Sequence, residues 1–244
     1  MDEYPVRQFH PILVLGMHRS GTSCLTGILE GFGVHLGHVL KSNSDNTKGN
    51  RENPRVMALN ESLLEANGGS WRDPVLVRRC SMAHRHQREL IFRRLAGNQV
   101  DWGFKDPRLL FTLPFWQEAS EPRCIGTFRH PLRVALSLQH RQSSGMPFMQ
   151  GLQLWYRYNL RLLQLHRRAP FPLVDFDLPE KDYVEDAVIK LLKLGLDAGR
   201  VNAATAFFDH DLRHQTCSNI DDTKLPAPVQ SLYEDLLQAH ADGT

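Results

Sequence analysis

Residues 11–33, PILVLGMHRSGTSCLTGILEGFG, constrain the fold more than any other stretch, because they read as a strand, a glycine-bounded loop and a helix in immediate succession. Ile12, Leu13, Val14 and Leu15 form an unbroken apolar run, the pattern of a strand buried on both faces of a parallel sheet. Gly16 ends it. Thr22 and Ser23 then open a helix with Leu25, Ile28, Leu29 and Phe32 on its apolar face and Gly33 as its C-terminal cap. A loop between the carboxyl end of a strand and a helix N-terminus aims backbone N–H groups and the positive end of the helix dipole at one point. Such a loop is suited to an anion.

Four residues separate Gly16 from Gly21, and Thr22-Ser23 follow, which is Walker A spacing with Thr22 in place of the lysine. That lysine normally reaches the β- and γ-phosphates of a nucleoside triphosphate, so its absence argues against ATP or GTP hydrolysis. The cation stands instead at Arg19, inside the loop. A plain strand-to-helix turn needs neither that cation nor the hydroxyl pair. R-S-G-T-S after a buried strand resembles the 5′-phosphosulfate loop of sulfotransferases that use 3′-phosphoadenosine 5′-phosphosulfate (PAPS). The resemblance implies cofactor contacts at His18, Arg19, Ser20, Gly21, Thr22 and Ser23, and 3′-phosphoadenosine 5′-phosphate (PAP) as the product.

A second motif lies about 110 residues on. Arg129 ends a predicted strand, His130-Pro131 starts a helix, and Ser137 falls on its second turn. This R-x-P-x-x-x-x-x-S pattern resembles the family segment that binds the 3′-phosphate of PAPS. A phosphomonoester carries close to two charges, and with the phosphosulfate the cofactor presents about four. Guanidinium forks suit that task. Arg213, near the C-terminus, is a candidate third contact on the same resemblance, against the alternative of a surface arginine. Trp155 or Tyr156 is placed either to stack on adenine or to fill the core of a long amphipathic helix.

Sulfuryl transfer requires a hydroxyl that loses its proton and cations that meet charge on the leaving oxygen. In cytosolic small-molecule sulfotransferases the base is a histidine in a K-T-H segment; the corresponding residues here are Lys105, Asp106 and Pro107, so the lysine is kept and the histidine is absent. In carbohydrate and protein sulfotransferases a glutamate takes the role. Glu52 is the first candidate base and Asp106 the second, with Lys105 and Arg19 stabilising the leaving group. The structural alternatives are charge complementarity at a helix N-terminus for Glu52 and an ion pair with Arg108 for Asp106. His18 and His130 adjoin the two anion motifs. The missing histidine implies a sugar, glycan or glycolipid hydroxyl as acceptor rather than a phenol.

The remaining periodicity alternates strands and helices. Helices are expected from Asn53-Pro54 to Asn67, over 84–97 with Leu90, Ile91 and Leu95 apolar and Arg85, Arg88, Arg93 and Arg94 around them, after Pro107 with a kink or break at Pro114, from His130, over 148–167, over 183–196 and over 229–239. Strands are expected near 101–106, 123–129 and 171–176. The fold class is therefore α/β, one domain over 1–244, with a central mostly parallel sheet flanked by helices, right-handed crossovers and ligands at the carboxyl ends of the strands. The resemblance covers roughly residues 11–215 and implies the P-loop-like sulfotransferase fold of a bacterial type, with GMHRSGTS, KDPR, RHP and the LW helix as its marks. A polar stretch from Lys41 to Asn53 is a long loop on the ligand side.

A formal charge of +2 gives no reason to expect nucleic-acid binding. Four cysteines at 24, 80, 124 and 217 form no metal signature and read as buried thiols in a reducing compartment. No metal is expected. With no transmembrane run and no signal pattern, a cytoplasmic enzyme is the expectation. Two alternatives remain open. A P-loop kinase of nucleotides or small molecules would bind ATP with Mg²⁺, and a non-catalytic protein that kept the nucleotide site would bind PAP without turnover.

Overall fold

The computed structural model describes residues 9–40, 50–140, 145–206 and 224–243. Its strands are β1 (Ile12–Leu15), β2 (Gly103–Lys105), β3 (Arg123–Phe128) and β4 (Leu173–Asp175). The helices are α1 (Thr22–Gly31), α2 (Pro54–Glu65), α3 (Met82–Ala96), α4 (Leu109–Gln117), α5 (Pro131–Gln139), α6 (Phe148–Arg168), α7 (Glu180–Lys193), α8 (Val201–Thr205) and α9 (Ala227–Ala241). The four strands form one parallel sheet in the order β2-β1-β3-β4. Ile12 pairs with Gly103 on one side and Arg123 on the other. The order reverses at β1, so the chain leaves β1 for one neighbour and later returns to its opposite side. A crevice opens where the connections diverge, at the carboxyl ends of β1 and β3.

Alternation along β1 separates two cores. Leu13 and Leu15 face a large cluster with Val56, Phe92, Phe104, Trp116 and Trp155, while Ile12 and Val14 face a smaller one with Leu25, Ile28, Tyr183 and Leu191. Helices thus cover both faces, which is why β1 carries no polar residue.

The element boundaries match their local chemistry. Asn53 caps α2 by accepting from the Arg55 N–H at 3.0 Å, with Pro54 at the first turn. Gly33, one residue beyond the Phe32 cap of α1, takes φ 86°, the left-handed value expected at that place.

Three expectations change. Pro114 does not break α4, which runs from Leu109 to Gln117. Proline removes the N–H that would bond Leu110 O four residues back, and Arg161 Nε donates to that carbonyl instead at 3.0 Å. On α3, Leu90 is exposed and Phe92 fills the core with Ile91 and Leu95. Arg88, expected on the wet face, is 5% exposed, donates to Phe115 O and pairs with Glu118 at 3.1 Å. Finally, Cys24 is buried but Cys80 and Cys124 are half-buried, and Cys217 lies outside the described residues. Among the described residues no helix is long and apolar enough to cross a membrane, and no His, Cys, Asp and Glu cluster could hold a metal ion.

Candidate active site

The first loop is shaped by backbone geometry rather than by side-chain caps. Arg19 has φ 67° and Gly21 φ 80°, so the chain turns twice through the left-handed region before α1 begins. A non-glycine residue there costs roughly 1–2 kcal/mol, strain of the kind found at ligand sites. Gly21 is required on steric grounds as well, since a Cβ would lie 2.2 Å from the Phe176 ring. Thr127 Oγ1, on β3, donates to Ser20 O at 3.0 Å and fixes the loop to the neighbouring strand. Among the described residues the helix that follows has no side-chain N-cap hydrogen bond. Ser20 Oγ is buried without a hydrogen-bond partner among the described residues. A buried hydroxyl beside an uncapped helix N-terminus fits an oxyanion that supplies the missing acceptor.

The second motif meets the first. Arg19 Nε donates to Ser137 Oγ at 2.7 Å, across 118 residues of sequence. Arg129 follows the end of β3 and donates through Nη1 to Arg19 O at 3.4 Å. Its guanidinium lies 5.2 Å from the centroid of the Phe176 ring. Trp155 is fully buried, and its Nε1 donates to Arg129 O at 2.9 Å. Trp155 is therefore core, fixing the Arg129 backbone, while Tyr156 is half-buried. His130 caps α5 by accepting from the Leu132 N–H at 3.3 Å. His18 packs against Trp71 and Tyr158.

A third group lies where α1, the end of the long loop and β2 converge. Lys105 Nζ is 2.9 Å from Glu52 Oε1 and 3.5 Å from Ser23 Oγ. Ser23 Oγ in turn donates to Asn50 O at 3.0 Å. The loop enters this corner pinned at both ends, with Leu40 N–H donating to Glu52 O and Arg51 N–H to Leu40 O. Glu52 is 8% exposed and Lys105 1%.

Asp106 stands apart from Glu52 in kind. It is fully buried, accepts from the Arg108 N–H at 2.8 Å and from Arg108 Nη1 at 3.2 and 3.1 Å through its two oxygens. Arg108 Nε also donates to Glu61. Burial pushes the Asp106 carboxyl up to about 6, against the lowering pull of Arg108. A carboxylate with no exposed surface and two chelating nitrogens holds Arg108 in place; it does not meet an incoming hydroxyl. Arg213 lies outside the described residues, as do positions 41–49 of the long loop.

Two groups escaped the sequence reading. Asp177 binds Arg129 Nε at 3.3 Å, Arg133 Nη1 at 2.8 Å and the His130 N–H at 2.6 Å. Glu61, on α2, accepts from Arg108 Nε and carries no distinguishing pattern in the sequence. The one available signal for Asp177 was its place just past a predicted strand, in V-D-F-D.

The architecture has counterparts among solved structures. The chain is similar to a sulfotransferase domain of an olefin synthase from Synechococcus PCC 7002, at 17% identity, over 99% of this chain and 97% of that one, with a TM-score of 0.53. The chain has the fold of a sulfotransferase domain. Two further similar structures, a sulfotransferase from Mycobacterium tuberculosis and a sulfotransferase domain from the curacin biosynthetic pathway, match at 16% and 14% identity with TM-scores of 0.49. They cover 96% and 94% of this chain, and 78% and 98% of their own. No protein-family model and no curated protein sequence matches the chain. Within the sulfotransferase fold found here, the two anion motifs and the Lys105–Glu52 pair all occupy the carboxyl edge of the sheet.

Proposed function

We propose that the chain is a PAPS-dependent sulfotransferase acting on a hydroxyl group, with a sugar, glycan or glycolipid as the acceptor class. The observation that carries this reading is the 2.7 Å bond from Arg19 to Ser137, which joins the two anion motifs into one cationic site at the crevice between β1 and β3. The kinase alternative lacks a lysine at Thr22.

PAPS supplies the sulfuryl group. The amides of residues 19–23, the Ser20 hydroxyl and Arg19 hold the phosphosulfate, and Arg129 with Ser137 holds the 3′-phosphate. Gly21 lets the backbone approach closely. Glu52 accepts the proton of the acceptor hydroxyl, because it keeps a little exposed surface while Asp106 has none and is chelated by Arg108. Lys105, held between Glu52 and Ser23, stabilises negative charge on the leaving oxygen. With its cation already in place, the site needs little reorganisation during transfer.

The test is thermal unfolding with PAP, ADP, and ATP plus Mg²⁺ at equal concentration, since a ligand bound only by the folded state raises the midpoint. PAP without metal gives the largest rise, and Arg129→Ala removes it. Turnover of PAPS with a panel of hydroxyl acceptors is then lost in Glu52→Gln. Stabilisation by ATP with Mg²⁺ and none by PAP overturns the proposal in favour of a kinase.

A further inference from the structure

The residues just past β4 touch both anion motifs although neither motif includes them. Phe176 N–H donates to Phe128 O at 3.0 Å, extending the pairing of β4 with β3 by one residue. Its ring lies against Gly21 of the first loop and beneath the Arg129 guanidinium of the second. The Asp177 N–H donates to Asp175 Oδ1 at 2.9 Å, a tight turn that fixes where the Asp177 carboxylate stands. That carboxylate then engages Arg129 Nε, Arg133 Nη1 and the His130 N–H, with its side chain only 12% exposed.

Such a carboxylate can act on an anion site in two opposite ways. As a plain counterion it competes with the incoming phosphate, and its removal strengthens binding. As a fixed brace it holds the guanidinium through Nε and sets the direction of the remaining N–H bonds, so its removal weakens binding and blurs recognition. Three features favour the brace. Asp177 is locked by its own turn. It also bonds the backbone at the start of α5, so the helix bearing Ser137 and the guanidinium are positioned by one group. Arg19, Arg129 and Arg133 together outnumber Asp175 and Asp177 by one charge, so the site stays attractive to an anion.

We infer that Asp177, seated by the Phe176 turn, is a positioning residue that orients Arg129 toward a phosphate on the 3′ carbon of the bound nucleotide and so sets selectivity for the 3′ over the 2′ phosphate. The inference rests on the proposed PAP site. Its consequence is geometric: charge loss alone alters affinity for both isomers alike, whereas a lost brace alters their ratio.

The experiment is calorimetric titration of the full chain with 3′,5′-adenosine bisphosphate, 2′,5′-adenosine bisphosphate and 5′-AMP, for the wild type and Asp177→Asn. Wild type binds the 3′,5′ isomer at least tenfold more tightly than the 2′,5′ isomer. Asp177→Asn reduces that preference to below threefold while 5′-AMP affinity changes less than twofold. Asp177→Ser, which keeps an acceptor for the His130 N–H, serves if the Asn variant does not fold. Asp177→Glu, which restores the charge on a longer arm, recovers part of the preference. An unchanged isomer ratio, or tighter binding of both bisphosphates in Asp177→Asn, overturns the inference and makes Asp177 a counterion. A wild type that binds neither bisphosphate better than 5′-AMP overturns the PAP site itself, a different result from either.

Discussion

Replacing Lys105 with methionine separates the structural and chemical roles of its ion pair. Lys105 and Glu52 are 2.9 Å apart, with side chains 2% and 10% exposed. At that separation the attraction is about 6 kcal/mol for an effective dielectric of about 20. Desolvation offsets much of it, but removing one partner strands the other, which typically costs about 3–5 kcal/mol. For a chain of this size each kcal/mol moves the midpoint by about 2–4 °C, so Lys105→Met lowers Tm by about 6–20 °C. Glu52→Gln is milder, because the neutral amide still accepts from Lys105. The double variant removes both charges and recovers at least half of the Lys105→Met loss. Thermal unfolding followed by circular dichroism gives the four midpoints, and the cycle yields the coupling. Turnover follows a different pattern: both single variants and the double variant lose at least about 10²-fold, since general-base assistance by Glu52 and charge stabilisation by Lys105 are each worth about that much. A Lys105→Met midpoint within about 3 °C of wild type, or a double variant no more stable than that single, refutes the buried-pair argument. Near-normal turnover in Glu52→Gln removes Glu52 from the chemistry.

Three other outcomes follow from the same geometry. Asp106 is raised from an ordinary carboxylate value of 3.8 to about 6, chiefly by burial, so the folded state binds more protons than the unfolded state between those values. Its contribution is therefore fully present below about pH 4 and is lost as pH rises through about 6. The stability difference between wild type and Asp106→Asn accordingly falls by about 3 kcal/mol over that window in denaturant titrations, and a flat difference refutes the shift. Gly21→Ala places a methyl group 2.2 Å from the Phe176 ring at φ 80°, so it costs more than the roughly 1–2 kcal/mol of a left-handed alanine and abolishes the PAP-induced rise in midpoint. Asn60 Oδ1 accepts from Thr112 Oγ1 at 2.8 Å and Trp116 Nε1 at 2.9 Å; in Asn60→Ala the Thr112 hydroxyl keeps Arg108 O at 3.3 Å but the buried Trp116 N–H loses its acceptor, lowering stability by about 1–3 kcal/mol, read from urea midpoints.

What the sequence disclosed was local and what it hid was lateral. The strand, loop and helix of residues 12–31 were legible because each rests on neighbours in the chain: an apolar run, glycines at the turns and a periodic face. The same holds for α2, whose Asn53-Pro54 start is a cap and a first turn in two residues. Pro114 misled for the complementary reason. Its cost depends on whether another donor reaches Leu110 O, and Arg161, 51 residues away, does so. Arg88 misled similarly, since α3 reads as a wet face until the Phe115 carbonyl and Glu118 are brought against it.

The candidate site shows the same division. Arg19, Ser20, Gly21, Arg129, Ser137, Glu52 and Lys105 were singled out from motifs, yet no motif specifies that Arg19 bonds Ser137 or that Ser23 joins Glu52 at Lys105. Sheet order decides both. Because β1 lies between β2 and β3, one loop can touch Lys105 at the end of one neighbour and Ser137 beyond the other. Asp177 depends on one further step, because β4 flanks β3 on the far side from β1 and reaches the loop through Phe176. An acidic residue after a three-residue strand has no distinguishing pattern in a sequence; only the order β1-β3-β4 turns it into a brace on Arg129. A chain with both motifs intact but β4 displaced would keep every cationic group of the site and lose the group that aims them.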